Sequence, residues 1–271
     1  MSSNSSSARP KVLVARRIFP EGIERLRVVC DVVYKDQELA FTKEELANEL
    51  AGVDGALVTG SERIDEVTLA KASNLKMVAN IAVGYNNFDV AAMTKAGVMG
   101  SNTPDVLTET TADLGFSLLM ATARRITESE HWLRAGHWKN WELGGMLGVD
   151  LHHSTLGIMG MGRIGQAIAK RGLGFGMKVI YHNRSRLAPE LEKECNAQYV
   201  DKETLLKECD HLVLVMPYTP ESHHLIGAKE LAQMKPTATL INIARGGIVD
   251  DAALAKALRD KVIFAAGLDV Y

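Results

Sequence analysis

The segment Ser154–Arg171, STLGIMGMGRIGQAIAKR, constrains the fold more than any other stretch of the chain. An apolar strand runs into Gly160-Met161-Gly162-Arg163-Ile164-Gly165, and a helical pattern continues to about Phe175. Alone, G-x-G-x-x-G is a weak signal. Set between a strand and a helix, it marks the first turn of a βαβ unit that holds a dinucleotide. Gly160 permits the tight turn, Gly162 lets the backbone approach a pyrophosphate, and Gly165 lets the helix pack close to the strand. The first N–H groups of that helix then face the phosphates.

The next strand, Lys178–His182, bears on which dinucleotide is held. An NAD site places Asp or Glu about 20 residues beyond the motif, on the ribose 2′-OH. Here that position is Asn183, followed by Arg184, Ser185 and Arg186. With no acid and two guanidinium groups, the segment suits a phosphate dianion, which Arg binds through paired hydrogen bonds. NADP(H) is therefore the expected cofactor, with NAD(H) as the lesser alternative.

The rest of the chain fits the same plan. Short apolar runs at Lys11–Ala15, Val28–Tyr34, Gly55–Thr59, Met77–Ala82 and Val98–Ser101 alternate with helical stretches, one of them opened by the capping box Thr42/Glu45. Alternation resumes after Ser154, with further strands at His211–Met216, Thr239–Ala244 and Ile263–Leu268. This is an α/β pattern with parallel sheets. Between the two series lies one long helical stretch, Thr103–Arg134, with Thr103-Pro104 at its start, and then a Trp- and Gly-rich loop to Leu151. A boundary near residue 103 separates residues 11–103 from 104–271, and the Ser-rich residues 1–10 read as a disordered tail.

Charge excludes some partners. Lys and Arg total 31 against 33 Asp and Glu, so no basic excess exists to attract nucleic acid or an anionic membrane. No run of apolar residues is long enough for a membrane span. Cys30, Cys195 and Cys209 are too few and scattered for a disulfide framework or a zinc site, so no metal and a reducing cytoplasmic setting are expected.

Five blocks now resemble one family. They are NIAVGYNNFD (80–89), TETTADLGFSLLMATAR (108–124), TLGIMGMGRIGQAIAKR (155–171), INIARGGIVDDAAL (241–254) and AAGLDVY (265–271). Together they resemble the D-isomer-specific 2-hydroxyacid dehydrogenases, in particular the glyoxylate/hydroxypyruvate reductase and 2-ketogluconate reductase branch. The resemblance implies two doubly wound parallel-sheet domains: a flavodoxin-like substrate domain and a Rossmann NAD(P)-binding domain. It implies that the Val83 and Gly84 N–H groups hold a substrate carboxylate, and that Arg245 clamps that carboxylate and the C2 carbonyl. It places Arg163 and Ile164 at the pyrophosphate, Met216 and Pro217 at the adenosine side, Ile243 and Ala244 along the nicotinamide ring, and Asp269 at its amide. It makes residues 131–151 a dimerisation arm, hence a homodimer. Arg245 is also legible without the resemblance. It ends an apolar strand before Gly246-Gly247, where sheets of this class bind ligands, and its planar fork suits a 2-oxo acid.

The pattern departs from the family at one end. The resemblance calls for a Glu in an E-x-E-P-like segment after GLDVY and, further on, a His that protonates the alkoxide. The sequence reaches Tyr271 before either, so a C-terminally truncated copy lacking this pair is the expectation. None of His131, His137, His152, His153, His182, His211, His223 and His224 stands at the family's position, and each is expected at the surface or an interface. The leading expectation is NADPH-dependent reduction of glyoxylate, hydroxypyruvate or 2-ketogluconate to D-2-hydroxy acids. The alternative is a catalytically silent dinucleotide-binding protein of the redox-sensing corepressor type. A hydrolase of the adenosylhomocysteine type is disfavoured by the order of the INIARGG and GLDVY blocks and by the missing ribose acid.

Overall fold

The computed structural model describes residues 9–271, and the first eight residues of the expected N-terminal tail lie outside the described residues. The chain divides into two compact units, the first ending at Val106 and the second spanning Leu107–Tyr271.

In the first unit the elements are β1 (Lys11–Val14), α1 (Pro20–Val29), β2 (Asp31–Tyr34), α2 (Lys43–Leu50), β3 (Gly55–Val58), α3 (Glu66–Leu69), β4 (Met77–Asn80), α4 (Val90–Ala96) and β5 (Met99–Ser101). The strands are all parallel, in the order β2-β1-β3-β4-β5, which is the flavodoxin-like winding. Leu13, Leu46, Leu50, Val58, Ile64 and Val78 form the centre of its core. The Thr42/Glu45 capping box forms as expected, with the Thr42 N–H donating to Glu45 and the Glu45 N–H to Thr42.

Val28 and Val29 do not belong to a strand. Pro20 starts α1 with its φ already helical, and the helix runs on through both valines before β2 begins at Asp31. Arg9 donates to the Arg27 and Cys30 carbonyls, satisfying acceptors that the helix end leaves open. A β-branched run was a weaker determinant here than the helix already propagating into it.

In the second unit the elements are α5 (Thr108–Ala123), α6 (Ile126–Arg134), β6 (Thr155–Met159), α7 (Arg163–Leu173), β7 (Lys178–His182), α8 (Pro189–Glu194), β8 (Ala197–Tyr199), α9 (Lys202–Glu208), β9 (His211–Leu214), α10 (Ala228–Leu231), β10 (Thr239–Asn242), α11 (Asp251–Arg259) and β11 (Ala265–Leu268). The sheet order is β11-β10-β9-β6-β7-β8, again all parallel. Counted from β6 this is the Rossmann order, with its switch point between β6 and β9.

The single helix expected over 103–134 is two helices, and the first starts at Thr108 rather than at Thr103. The break is made by a distant segment of the same unit. The Val149 N–H takes the Ala123 carbonyl, and Gly148 lies so close that a Cβ there would sit 2.3 Å from that oxygen. Arg125 turns left-handed at φ 54°, held by a two-point ion pair to Glu128 at 2.7 and 2.6 Å. The short strand β8, with little apolar signal in NAQYV, was not anticipated.

One histidine is internal, contrary to expectation. His211 is fully buried at the start of β9, its Nδ1 2.8 Å from Thr239 Oγ1 and its Nε2 3.0 Å from the Asp150 carbonyl. Burial pushes its pKa down, so it is a neutral core residue. Cys195 and Cys209 are buried free thiols. Among the described residues no helix is long and apolar enough to cross a membrane, and no cluster of three His, Cys, Asp or Glu could hold a metal ion.

Candidate functional site

At the switch point of the second unit, the loops after β6 and β9 diverge and open a cavity of about 490 Å³. Gly160 and Gly162 line it from one side, Met216 and Pro217 from the other. The three motif glycines do different jobs. Gly160 has φ 105°, and a Cβ there would meet the Val215 carbonyl carbon at 2.8 Å. A Cβ on Gly165 would meet the Gly160 oxygen at 2.4 Å, so the close helix–strand approach needs glycine. A Cβ on Gly162 would meet nothing within 4 Å; it would project into open space. Gly162 is also the N-cap of α7 and provides no side chain, so the first-turn N–H groups at Arg163 and Ile164 are not capped from that position. A cradle of bare backbone with an open mouth fits a pyrophosphate. Ile164 itself is half-buried against the core.

The segment after β7 is held by side chains. Asn183 Oδ1 accepts the Met161 N–H at 2.6 Å, and the Asn183 carbonyl accepts the Tyr199 hydroxyl at 3.3 Å. Asn183, Arg184 and Ser185 line the cavity. Arg186 does not. Its guanidinium makes a two-point bond to Glu192, with both N–O distances 2.8 Å. The two arginines expected to act together are therefore divided: Arg184 faces the cofactor space and Arg186 braces the loop. Glu192 also accepts the Tyr181 hydroxyl at 2.6 Å, and that hydroxyl accepts the Leu187 N–H at 2.9 Å. The Arg186 fork holds the Glu192 carboxyl down at about 2. Burial, with Glu192 beside it, pushes the Tyr181 phenol up to about 12.

Lys202, Thr219, Glu221 and Ser222 also line the cavity and were not anticipated. Lys202 opens α9 directly after the unforeseen β8, with its ammonium 3.1 Å from Glu230. No residue pattern links it to the glycine loop. Topology alone brings it there.

At the end of β10, Asn242 is buried and shapes the turn. It accepts the Ala244 N–H at 3.0 Å and donates to the Arg245 carbonyl at 3.1 Å. Ile243 and Ala244 bury their side chains in the cores of this unit, so their side chains are committed to packing rather than lining an open pocket. Arg245 is exposed and donates to the Ala244 carbonyl at 2.6 Å. Asp269 is exposed at the end of β11, its N–H bonded to the Asn242 carbonyl at 3.0 Å.

In the first unit, the loop after β4 has its carbonyls gripped in sequence. The Ala82 carbonyl accepts the Thr103 N–H at 3.0 Å. The Val83 carbonyl accepts Asn102 Nδ2 at 2.8 Å, and the Gly84 carbonyl accepts Asn80 Nδ2 at 2.9 Å. In a trans peptide the C=O and the next N–H point in opposite directions. Turning these carbonyls inward therefore turns the Val83, Gly84 and Tyr85 N–H groups away from the asparagines. Successive backbone donors turned away from these partners are candidates to ligate an anion.

The profile for "D-isomer specific 2-hydroxyacid dehydrogenase, NAD binding domain" matches residues 116–271. Glyoxylate reductase of Thermococcus onnurineus is 48% identical over 267 residues, covering 97% of this chain and 80% of that protein. The glyoxylate reductase of Pyrococcus horikoshii is 46% identical, with the same coverage. Among solved structures, the TT0316 protein of Thermus thermophilus superimposes with a TM-score of 0.88 at 42% identity, covering 96% of this chain and 81% of that one. The NAD and lactic acid complex of Aquifex aeolicus D-lactate dehydrogenase gives a TM-score of 0.82 at 28% identity, covering 96% and 77%. The fold and the glycine cradle define a nicotinamide-dinucleotide dehydrogenase. This chain belongs to the D-isomer-specific 2-hydroxyacid dehydrogenase family.

Proposed function

We propose that this protein reduces small 2-oxo acids to D-2-hydroxy acids with NADPH, with glyoxylate the first substrate to test and hydroxypyruvate and 2-ketogluconate next. The observation that carries the cofactor reading is Asn183 in the acid's place with Arg184 on the same cavity wall. A carboxylate there would repel a 2′-phosphate, whereas a guanidinium pairs with it. The glyoxylate reductases at 46–48% identity support the substrate class.

The dinucleotide, when bound, supplies the hydride. The chain's own residues bind and polarise. Gly160, Gly162 and the first turn of α7 hold the pyrophosphate, Arg184 and Ser185 the 2′-phosphate, and Met216 and Pro217 the adenosine side. Asp269 faces the nicotinamide amide. The Val83 and Gly84 N–H groups bind the substrate carboxylate. Arg245 donates to that carboxylate and to the C2 carbonyl oxygen, where negative charge grows as the hydride arrives. Arg suits this work because a carboxylate and an adjacent carbonyl present their oxygens side by side to a planar fork.

The same reading makes residues 131–151 a homodimer arm. Helix α6 buries none of its residues, and Trp141, Leu143 and Leu147 beyond it are 76%, 80% and 63% exposed. A cytoplasmic setting accords with free, buried Cys195 and Cys209.

The experiment is a turnover assay with glyoxylate and either NADPH or NADH on a C-terminally completed protein, whose added His supplies the proton that the alkoxide takes up, alongside the same assay and equilibrium titration of each cofactor on this 271-residue chain. Faster oxidation of NADPH, lost in Arg245→Ala, is the expected result. Equal use of both cofactors would remove the role given to Arg184. Tight NADPH binding without turnover would favour the silent dinucleotide-binding reading.

A further inference from the structure

Glu62 is 1% exposed, a buried carboxylate on the loop after β3. Its Oε1 takes Arg16 Nε at 2.6 Å, and its Oε2 takes the Thr59 N–H and hydroxyl at 2.9 and 2.8 Å. Arg16 follows β1 and also donates to the Glu38 carbonyl. The Glu62 loop is tied onward to the loop after β4. Asn87, buried, donates to the Thr59 and Glu62 carbonyls at 3.1 and 2.9 Å. Asn87 Oδ1 accepts Asn80 Nδ2 at 3.2 Å, and the same Asn80 amide donates to the Gly84 carbonyl. The Ile64 N–H donates to the Asn87 carbonyl and the Asp89 N–H to the Ile64 carbonyl, both at 2.8 Å, which closes the two loops into one piece.

A buried ion pair is a poor route to stability, because desolvation of both charges offsets their attraction. Its value here is geometric. The loops after β1 and β3 meet at the Glu62 carboxylate, the loop after β4 reaches the Glu62 main-chain carbonyl through Asn87, and the last link of the chain fixes the Gly84–Tyr85 peptide, next to the peptide that carries the Gly84 N–H.

We propose that Glu62 is a positioning residue for the anion-binding loop, acting through Asn87 and Asn80 on the Gly84 carbonyl to hold the Val83 and Gly84 donors in register. The inference rests on the reading of those N–H groups as carboxylate ligands. Without the Glu62 charge, Arg16 and Thr59 lose their common acceptor, the loop after β3 shifts, and Asn87 with it. A donor turned out of line with its acceptor loses hydrogen-bond strength steeply.

The test uses the full chain saturated with NADPH, with oxamate as the anion, an isostere of a 2-oxo acid. Backbone hydrogen exchange at residues 83–85 and the oxamate Kd are measured in the parent, Glu62→Gln and Asn80→Asp proteins. Thermal melts show whether each variant is folded. Asn80→Asp cuts the last link while leaving the buried ion pair intact, so it serves if Glu62→Gln does not fold. Oxamate is expected to protect these amides in the parent. In the folded variants it should bind about tenfold more weakly and protect them less, the size of effect that follows loss of one buried hydrogen bond. NADPH affinity should be unchanged. Oxamate that leaves residues 83–85 unprotected in the parent overturns the anion-site reading itself. Protection in the parent, with oxamate affinity retained in folded Glu62→Gln or Asn80→Asp, overturns the positioning role alone.

Discussion

Asn183 Oδ1 accepts the Met161 N–H at 2.6 Å, so the residue standing where an NAD-type acid would stand also pins the glycine loop. The side chain therefore has a structural task that survives any choice of cofactor. Asn183→Asp keeps an acceptor for Met161 and adds a negative charge beside Arg184. It should shift the NADPH-to-NADH affinity ratio toward NADH by at least about tenfold, a change of ~1.4 kcal/mol. Asn183→Ala removes the acceptor and should weaken both cofactors alike, by an amount in the ~1–3 kcal/mol range for an unsatisfied buried donor. Fluorescence titration with each reduced cofactor distinguishes the two patterns.

Arg184 and Arg186 should separate in the same assay. Arg184→Ala is expected to cost NADPH affinity about tenfold or more and leave NADH nearly untouched, since a charge-assisted phosphate contact contributes ~1.5–3 kcal/mol. Arg186→Ala releases Glu192 and loosens the loop, so any loss should fall equally on NADPH and NADH. A selective loss of NADPH from Arg186→Ala, with none from Arg184→Ala, would reverse the division of labour seen in the structure.

The glycines of the motif predict opposite failures. Gly162→Ala places its Cβ in open space, so the melting temperature should hold while dinucleotide affinity falls. Gly165→Ala drives its Cβ into the Gly160 oxygen, an overpacking that typically costs ~1–3 kcal/mol and should lower the melting temperature. Paired thermal melts and cofactor titrations on the two variants check this; a stable Gly165→Ala protein would show that α7 can move off the strand.

His211 gives a pH dependence with a definite sign. Burial lowers its native pKa below the ordinary value of 6.5. As pH falls through 6.5, the unfolded chain takes up a proton that the native core does not. Stability should therefore decline below pH 6.5 and level off below the depressed native value. His211→Gln, which lacks a titrating group, should show a smaller drop in melting temperature between pH 7 and pH 5. Identical drops would assign the acid sensitivity to other groups.

Features that depend on neighbouring residues alone are legible before the chain is folded. The strand–glycine–helix turn at Gly160–Gly165, the capping box at Thr42 and Glu45, and the absence of an acid at Asn183 are all readable one neighbour at a time. Parallel α/β winding followed from the alternation of strands and helices, since buried parallel strands need helices on both faces. Other features arise only when distant segments meet in the folded chain. Folding divided Arg184 from Arg186, because only the folded loop brings Glu192 and Tyr181 beside one of them. It put Lys202 at the cofactor cavity through a strand with no apolar signature. It broke the helix at Arg125 because a chain segment from Gly148 and Val149 competes for the same carbonyl. It also linked Arg16, Glu62, Asn87 and Asn80, residues from separate stretches of chain, in one run of hydrogen bonds anchored at a buried charge. Hydrogen bonds between distant segments leave no periodic trace along the chain, so they become visible only when the sheet has set the positions of its loops.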